Sequence, residues 1–291
     1  MLWSDDRVDP LVARKTAGTL EPLHATVYFA AEPQEEYEAI GLDVRGNRAV
    51  GYFPGRAAAM GAVTSPVVAA TFYVFSPLAA AFGIDGVWEQ VSPADVQAAR
   101  RRGIDRALRR LCGDLLDTPD VVEAVELART AADACRPEGR PLYAAHAGLD
   151  WPTEPHLQLW HAVTLLREYR GDGHVAALLQ AGITAPQAGV LDVAFGSMWT
   201  RELWRKTRAY SPEEYDLAVG ELRGRGWVEP DSEDLTAAGR AAREEVEHRT
   251  DLAALAPWER IGEDGATRLR ELVRPLSRAI VDGGGMVPAK R

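Results

Sequence analysis

The chain has 291 residues, 46% of them hydrophobic and 26% charged, which fits a globular protein of one large domain or about two. Its net charge of −10 works against general affinity for nucleic acid or an anionic membrane surface. Lysine occurs only at 15, 206 and 290, so Schiff-base chemistry has few places to start.

Residues 10–32 read as a helix, with Leu11, Leu20, Leu23, Val27 and Phe29 apolar and Pro22 and Pro33 as punctuation. A short acidic helix is expected at 34–41, ending at Gly41. Gly51-Tyr52-Phe53-Pro54-Gly55-Arg56 reads as a turn or break. Two apolar helical pieces follow, at 57–60 and 66–75. A longer helix covers 93–116, with Ser92 as N-cap and Pro93 in the first turn, and another covers 119–134 behind Thr118 and Pro119. Residues 136–141 and 151–155 look like linker. They divide the chain into a helical domain, 1–140, compatible with a degenerate winged helix, and a second domain, 150–291.

Residues 155–169 form a helix that is apolar on nearly every side, and such a helix is usually buried. Gly171-Asp172-Gly173 should break it. A second helix, 174–182, would start with Asp172 as its N-cap. Further helices are expected at 184–196 and 211–225, the latter opening on a capping-box sequence, Ser211-Pro212-Glu213-Glu214. Gly226-Trp227-Val228-Glu229, a turn with Asp231 and Asp234, and Leu235 onward then predict a small β-hairpin near 227–237. A charged helix follows to about residue 250. The fold class expected is mainly α, with helix far exceeding strand.

This order of elements carries a resemblance. Glu221-Leu222-Arg223-Gly224-Arg225-Gly226-Trp227-Val228, leading into Leu235-Thr236-Ala237-Ala238-Gly239-Arg240, resembles the recognition helix and wing of MarR-like winged-helix proteins over residues 175–250. More of the chain is similar to an uncharacterised actinobacterial helix-turn-helix family with a MarR-like C-terminal half. The matching pieces are Leu20 to His24, Gly51 to Ala58, Ala70 to Pro77, and the Leu159-Trp160-His161-Ala162 and Leu166-Arg167-Glu168-Tyr169-Arg170-Gly171-Asp172-Gly173-His174 motifs. The resemblance implies a fold and no particular reaction. Against a regulator, residues 211–234 hold eight acidic side chains and two arginines, Arg223 and Arg225. DNA carries about one negative charge per 1.7 Å of axis, so duplex binding is expected to be weak and DNA an unlikely partner.

Candidate chemistry centres on 155–174. At helical spacing Leu157, His161, Thr164 and Glu168 share one face. That face either lines a pocket or meets solvent or a partner subunit. The functional reading makes His161, Glu168, Asp172 and His174 an acid–base set. His24, Arg56, Tyr73, Trp160, Thr164 and Arg170 would bind ligand in an aromatic-walled cleft between the halves, with Arg56 and Arg170 facing anionic groups. In the plain alternative Asp172 only caps a helix and the aromatics are core. The arginines at 100, 101, 102, 106, 109 and 110 read as a solvated, salt-bridged helix.

Cys112 and Cys135 form no CxxC pair and read as buried thiols. The histidines match no metal-ligand spacing, and P-loop, GxGxxG and GxSxG motifs are missing, so no metal or cofactor is expected. The opening Met1-Leu2-Trp3-Ser4-Asp5-Asp6-Arg7 has no signal-peptide character, and no apolar run reaches about 18 residues. The expectation is a cytoplasmic protein off the membrane, compatible with a homodimer. It would bind a small organic molecule and transform it by cofactor-independent acid–base chemistry. The alternatives are a ligand-responsive MarR-like regulator and a ligand-sequestering protein.

Overall fold

The computed structural model describes residues 8–197 and 199–286. The heptapeptide at 1–7 and Lys290 lie outside the described residues. The helices, in chain order, are α1 (Pro10–Phe29), α2 (Ala31–Ala39), α3 (Ala49–Ala57), α4 (Ser65–Phe72), α5 (Pro77–Ile84), α6 (Val87–Gln90), α7 (Pro93–Cys112), α8 (Pro119–Ala132), α9 (Pro141–Ala147), α10 (Pro155–Gln180), α11 (Ala185–Ala194), α12 (Arg201–Arg208), α13 (Pro212–Gly224), α14 (Ala237–Ala253) and α15 (Ala256–Asp282). Proline in the first turn recurs because its missing N–H is not needed there and its φ is already helical. The side chains of Asp9, Ser76, Ser92 and Ser211 accept from the first-turn amides of α1, α5, α7 and α13, and Ser211 and Glu214 close the expected capping box.

Among the described residues the buried apolar side chains form four clusters, and the two largest position the site. The larger is built from α1, α7, α8, the first half of α10 and α15, with Leu23, Ile104, Leu108, Leu159 and Leu269 almost fully buried. Truncating one of these to alanine would cost about 2–5 kcal/mol. The second core is built from the last turns of α10 with α11 to α14, around Ile183, Leu191, Trp204, Tyr215 and Leu222. Helix α10 therefore belongs to both.

Several expectations are corrected. The segment expected to break at 51–56 is helical, as α3. Its glycines serve close packing: a Cβ at Gly55 would collide with the Tyr37 hydroxyl, and one at Gly51 would lie 2.7 Å from Gln34 Oε1. The Gly-Asp-Gly stretch does not break α10, which runs unbroken for 26 residues. At Gly173 a Cβ would lie 2.8 Å from Arg140 Nη1 and 3.1 Å from Ala253 Cβ. The residue is small so that α14 and Arg140 can approach. Between the two linker-like stretches the chain forms α9.

The β-hairpin does not form, and the fold is all-α among the described residues. Residues 227–237 hold one isolated antiparallel bridge, Val228–Leu235, flanked by Glu229 N–H to Asp234 O and Thr236 N–H to Trp227 O. Pro230 has no N–H for a ladder. Arg223 also occupies the Glu229 and Ser232 carbonyls.

Candidate functional site

On the unbroken α10, His161, Thr164, Glu168 and Asp172 fall three or four residues apart and are all buried, with Thr164 and Glu168 no more than 1% exposed. Buried polar groups need partners, and those of Glu168 are strong. Arg56 of α3 donates through Nη2 to Glu168 Oε2 at 2.9 Å and Oε1 at 3.2 Å, and through Nε at 3.3 Å. Arg167 donates to Oε2 at 2.8 Å. These guanidiniums overcome the desolvation that opposes ionisation and hold the Glu168 carboxyl well below its usual range. Arg56 also donates to the Tyr52 hydroxyl at 2.9 Å and lies over the Phe72 ring. Thr164 meets His24 Nδ1 at 3.2 Å, and His24 Nε2 meets the Tyr28 hydroxyl at 3.0 Å. Burial and the nearby arginines push His24 well down, so it is neutral, and burial pushes the Tyr28 hydroxyl up to about 12.

The other members of the expected acid–base set lie elsewhere. Asp172 Oδ2 accepts from the Leu142 and Tyr143 amides and so caps α9 rather than a helix of its own. Burial raises its carboxyl to about 6. His161 sits edge-on to Trp151 at 4.7 Å and is held to about 4 by burial and by Arg100 and Arg101. His174 Nδ1 lies 2.9 Å from the Thr250 hydroxyl, which itself donates to Val246 O. The hydroxyl is thus the acceptor, Nδ1 carries the proton, and burial holds the ring to about 4. The four side chains do not converge on one cavity, and Glu168 is already saturated with donors.

Of the expected ligand-binding residues, His24 and Thr164 meet and Arg56 joins Glu168 on the next turn, while Tyr73, Trp160 and Arg170 lie apart from them. Tyr52, Phe53, Phe72 and Phe75 pack on each other, with ring centroids 5.0–6.4 Å apart. Tyr73 has φ 57° and ψ −63°, in a γ-turn closed by Val74 N–H to Phe72 O. Its hydroxyl donates to Ile183 O and ties this segment to the second core. Trp160 lies under the guanidinium of Arg100. Arg170 pairs with Glu247 at 3.2 Å and Asp251 at 2.8 Å.

Arg170 and His174 do share a cavity, of about 400 Å³, between α1, α10 and α14. Arg14, Glu21, Arg167, Glu247 and Thr250 complete its polar side-chain lining, and Val163, Leu166 and Trp258 form part of its apolar wall. Its arginines are matched: Arg14 with Asp251 at 2.7 Å, Arg167 with Glu168, Arg170 with Glu247 and Asp251. Among the described residues no group of three or more His, Cys, Asp or Glu is placed to hold a metal ion, and no helix is long and apolar enough to cross a membrane.

Beyond the cavity, α11 packs under a helix–turn–helix pair. Helix α12 is capped by Ala209, in the left-handed region at φ 55°, and α13 begins three residues after that cap. Trp204 stacks on Tyr210 at 5.7 Å and lies where a Cβ at Gly189 would be. The profile of a helix-turn-helix family matches residues 13–288. The chain belongs to this helix-turn-helix family. No curated protein and no solved structure matched. Membership makes DNA a partner to consider, against the charge-based expectation. The exposed face of α13 carries Glu213, Asp216, Leu217 and Glu221. Arg223 of α13 donates to Glu229 O and Ser232 O, and Arg225 just after it to Gly182 O and Ala181 O.

Glu247 and Asp251 were not singled out from sequence, because Arg170 and Arg14, which they meet across the cavity, lie on other helices far along the chain. Arg100 was misread as solvated. Its signal was present: it lies four residues from Val96 and Ile104 and three from Gly103, on the apolar stripe of α7.

Proposed function

We propose that this chain is a ligand-responsive helix-turn-helix regulator, in which a small organic molecule held between α1, α10 and α14 sets the position of the helix-turn-helix module. Continuity of two helices carries the reading. Arg170 and His174 of α10 line the cavity, and Ala177 and Leu178, one to two turns on, pack in the core of the module. Glu247 and Thr250 of α14 line it too, beside Val246 of the same core. Packed cores switch between arrangements rather than deform continuously, so displacement of either helix at the cavity is felt at α11 to α13. The arginines of the cavity already have carboxylate partners, which favours a neutral molecule with polar edges and an apolar body. Such a ligand shifts the module only by its difference in affinity for the two positions.

The test is duplex binding to the region upstream of the chain's own gene, with and without neutral molecules selected by thermal shift. The reading expects an affinity that changes with ligand. A second reading, a ligand-sequestering protein, is favoured by the acidic exposed face of α13. It expects ligand binding with no duplex affinity at any ligand concentration.

A further inference from the structure

Most of the arginines of α7 meet carboxylates at the surface: Arg102 and Arg106 on Glu36, Arg109 on Asp105, Arg110 on Glu32. Arg100 turns inward and is 2% exposed. Its Nε and Nη2 reach no acceptor, and no ion pair to it occurs among the described residues. Its guanidinium lies 4.6 Å from the centre of the Trp160 ring. A buried charge without a counter-ion is among the costliest arrangements a protein keeps.

The groups beside it are unmet in the same sense. Gln97 Nε2, Trp160 Nε1 and His161 Nε2 are buried without a partner. Amide, indole and guanidinium nitrogens can only donate. His161 is neutral at ordinary pH, since burial and the two neighbouring arginines hold it to about 4, so it adds one N–H at most. Gln97, Arg100, Trp160 and His161 all line one cavity of about 330 Å³. Its wall includes Ala58, Pro93, Leu149 and Leu157, and exposed Arg101 and Asp150 offset each other in charge. Donors without acceptors, around one unbalanced positive charge, call for an acceptor with one negative charge.

We infer that this cavity binds a small organic monocarboxylate, its carboxylate on Arg100 with the Gln97 and Trp160 N–H groups and its apolar body along Leu149 and Leu157. Guanidinium Nε and Nη2 together match the two oxygens of a carboxylate. The cavity shares no lining residue with the one between α1, α10 and α14, so the inference stands independently of the regulator reading.

The test is isothermal titration of the full chain with benzoate, octanoate, benzamide and inorganic phosphate. At least one of the two carboxylates should bind one per chain, and benzamide and phosphate at least about 10-fold more weakly, since one charge-assisted pair is at stake. Arg100→Met should weaken the carboxylate by about 100-fold, in the range for loss of one partner of a buried charge pair. Trp160→Phe, which removes only the indole N–H and ring bulk, should weaken it by about 10-fold; it keeps the inference falsifiable if Arg100→Met does not fold. Failure of both carboxylates at about 10 mM, weaker than the millimolar limit of specific recognition, would overturn the inference. So would benzamide or phosphate binding as well as the carboxylate, or wild-type affinity in both variants.

Discussion

Arg56 and Arg100 are both at least nine-tenths buried and both approach α10, but their surroundings differ. Arg56 meets Glu168 through two nitrogens and Tyr52 through the third, with Arg167 completing the carboxylate's shell. Arg100 meets an indole face and no acceptor on Nε or Nη2. The first arrangement is complete without anything from outside. The second is complete only when an acceptor arrives. On one helix, polarity inside the fold therefore has two uses, and hydrogen-bond satisfaction tells them apart where burial does not.

The largest effect expected is at Glu168. Glu168→Gln strands the buried Arg56 guanidinium, and with it the half-buried Arg167, and should cost about 3–5 kcal/mol, seen in urea unfolding at pH 7. The sign with pH follows from the lowered carboxyl. Its stabilisation is fully present above the ordinary carboxylate range and is lost as pH falls through the depressed folded value. Wild type should lose stability toward acid more steeply than Glu168→Gln. A cost near zero with unchanged pH dependence would put Glu168 outside the structural class.

Asp172, one turn further on, should behave oppositely. Its carboxyl is raised to about 6 by burial. The folded state then holds the proton longer than the unfolded one, and the residue's contribution to stability falls as pH rises between about 4 and 6. Asp172→Asn, which keeps an acceptor for the Leu142 and Tyr143 amides, should flatten that slope. Asp172→Ala should cost about 1 kcal/mol through loss of the cap on α9. A thermal melt series from pH 4 to 7 reads both.

Much of this was legible in sequence. Pro93, Pro119 and Pro212 mark helix starts because capping is local, and Ser211 and Glu214 form their box as expected. What depended on distant partners was not legible. The Gly171-Asp172-Gly173 stretch reads as a turn, yet Gly173 is small because Arg140 and Ala253 lie against it, and nothing near it in sequence says so. Arg56 and Glu168 are 112 residues apart, and no periodicity links them. The run from Gly226 to Glu229, the Asp231–Asp234 turn and Leu235 onward read as a hairpin, yet Pro230 has no N–H to give a ladder and Arg223 occupies two of the carbonyls it would use.

The smallest effects test the close approach in α10. Gly171→Ala meets only ordinary contact, 3.5 Å to Arg167 Nη1, and should stabilise by up to about 1 kcal/mol from helix propensity. Gly173→Ala must displace Arg140 and should destabilise despite the same propensity gain. Equal shifts in melting temperature would restore a turn-like reading of this stretch.

The contrast between the two arginines is tested most directly by the melting temperature of Arg100→Met, measured beside Glu168→Gln at pH 7 without added ligand. Removing an unmatched buried charge should leave the melting temperature unchanged or raise it, while Glu168→Gln lowers it steeply. A fall in Arg100→Met comparable to that of Glu168→Gln would mean that Arg100 is held by the fold rather than kept for a ligand, and would contradict the account.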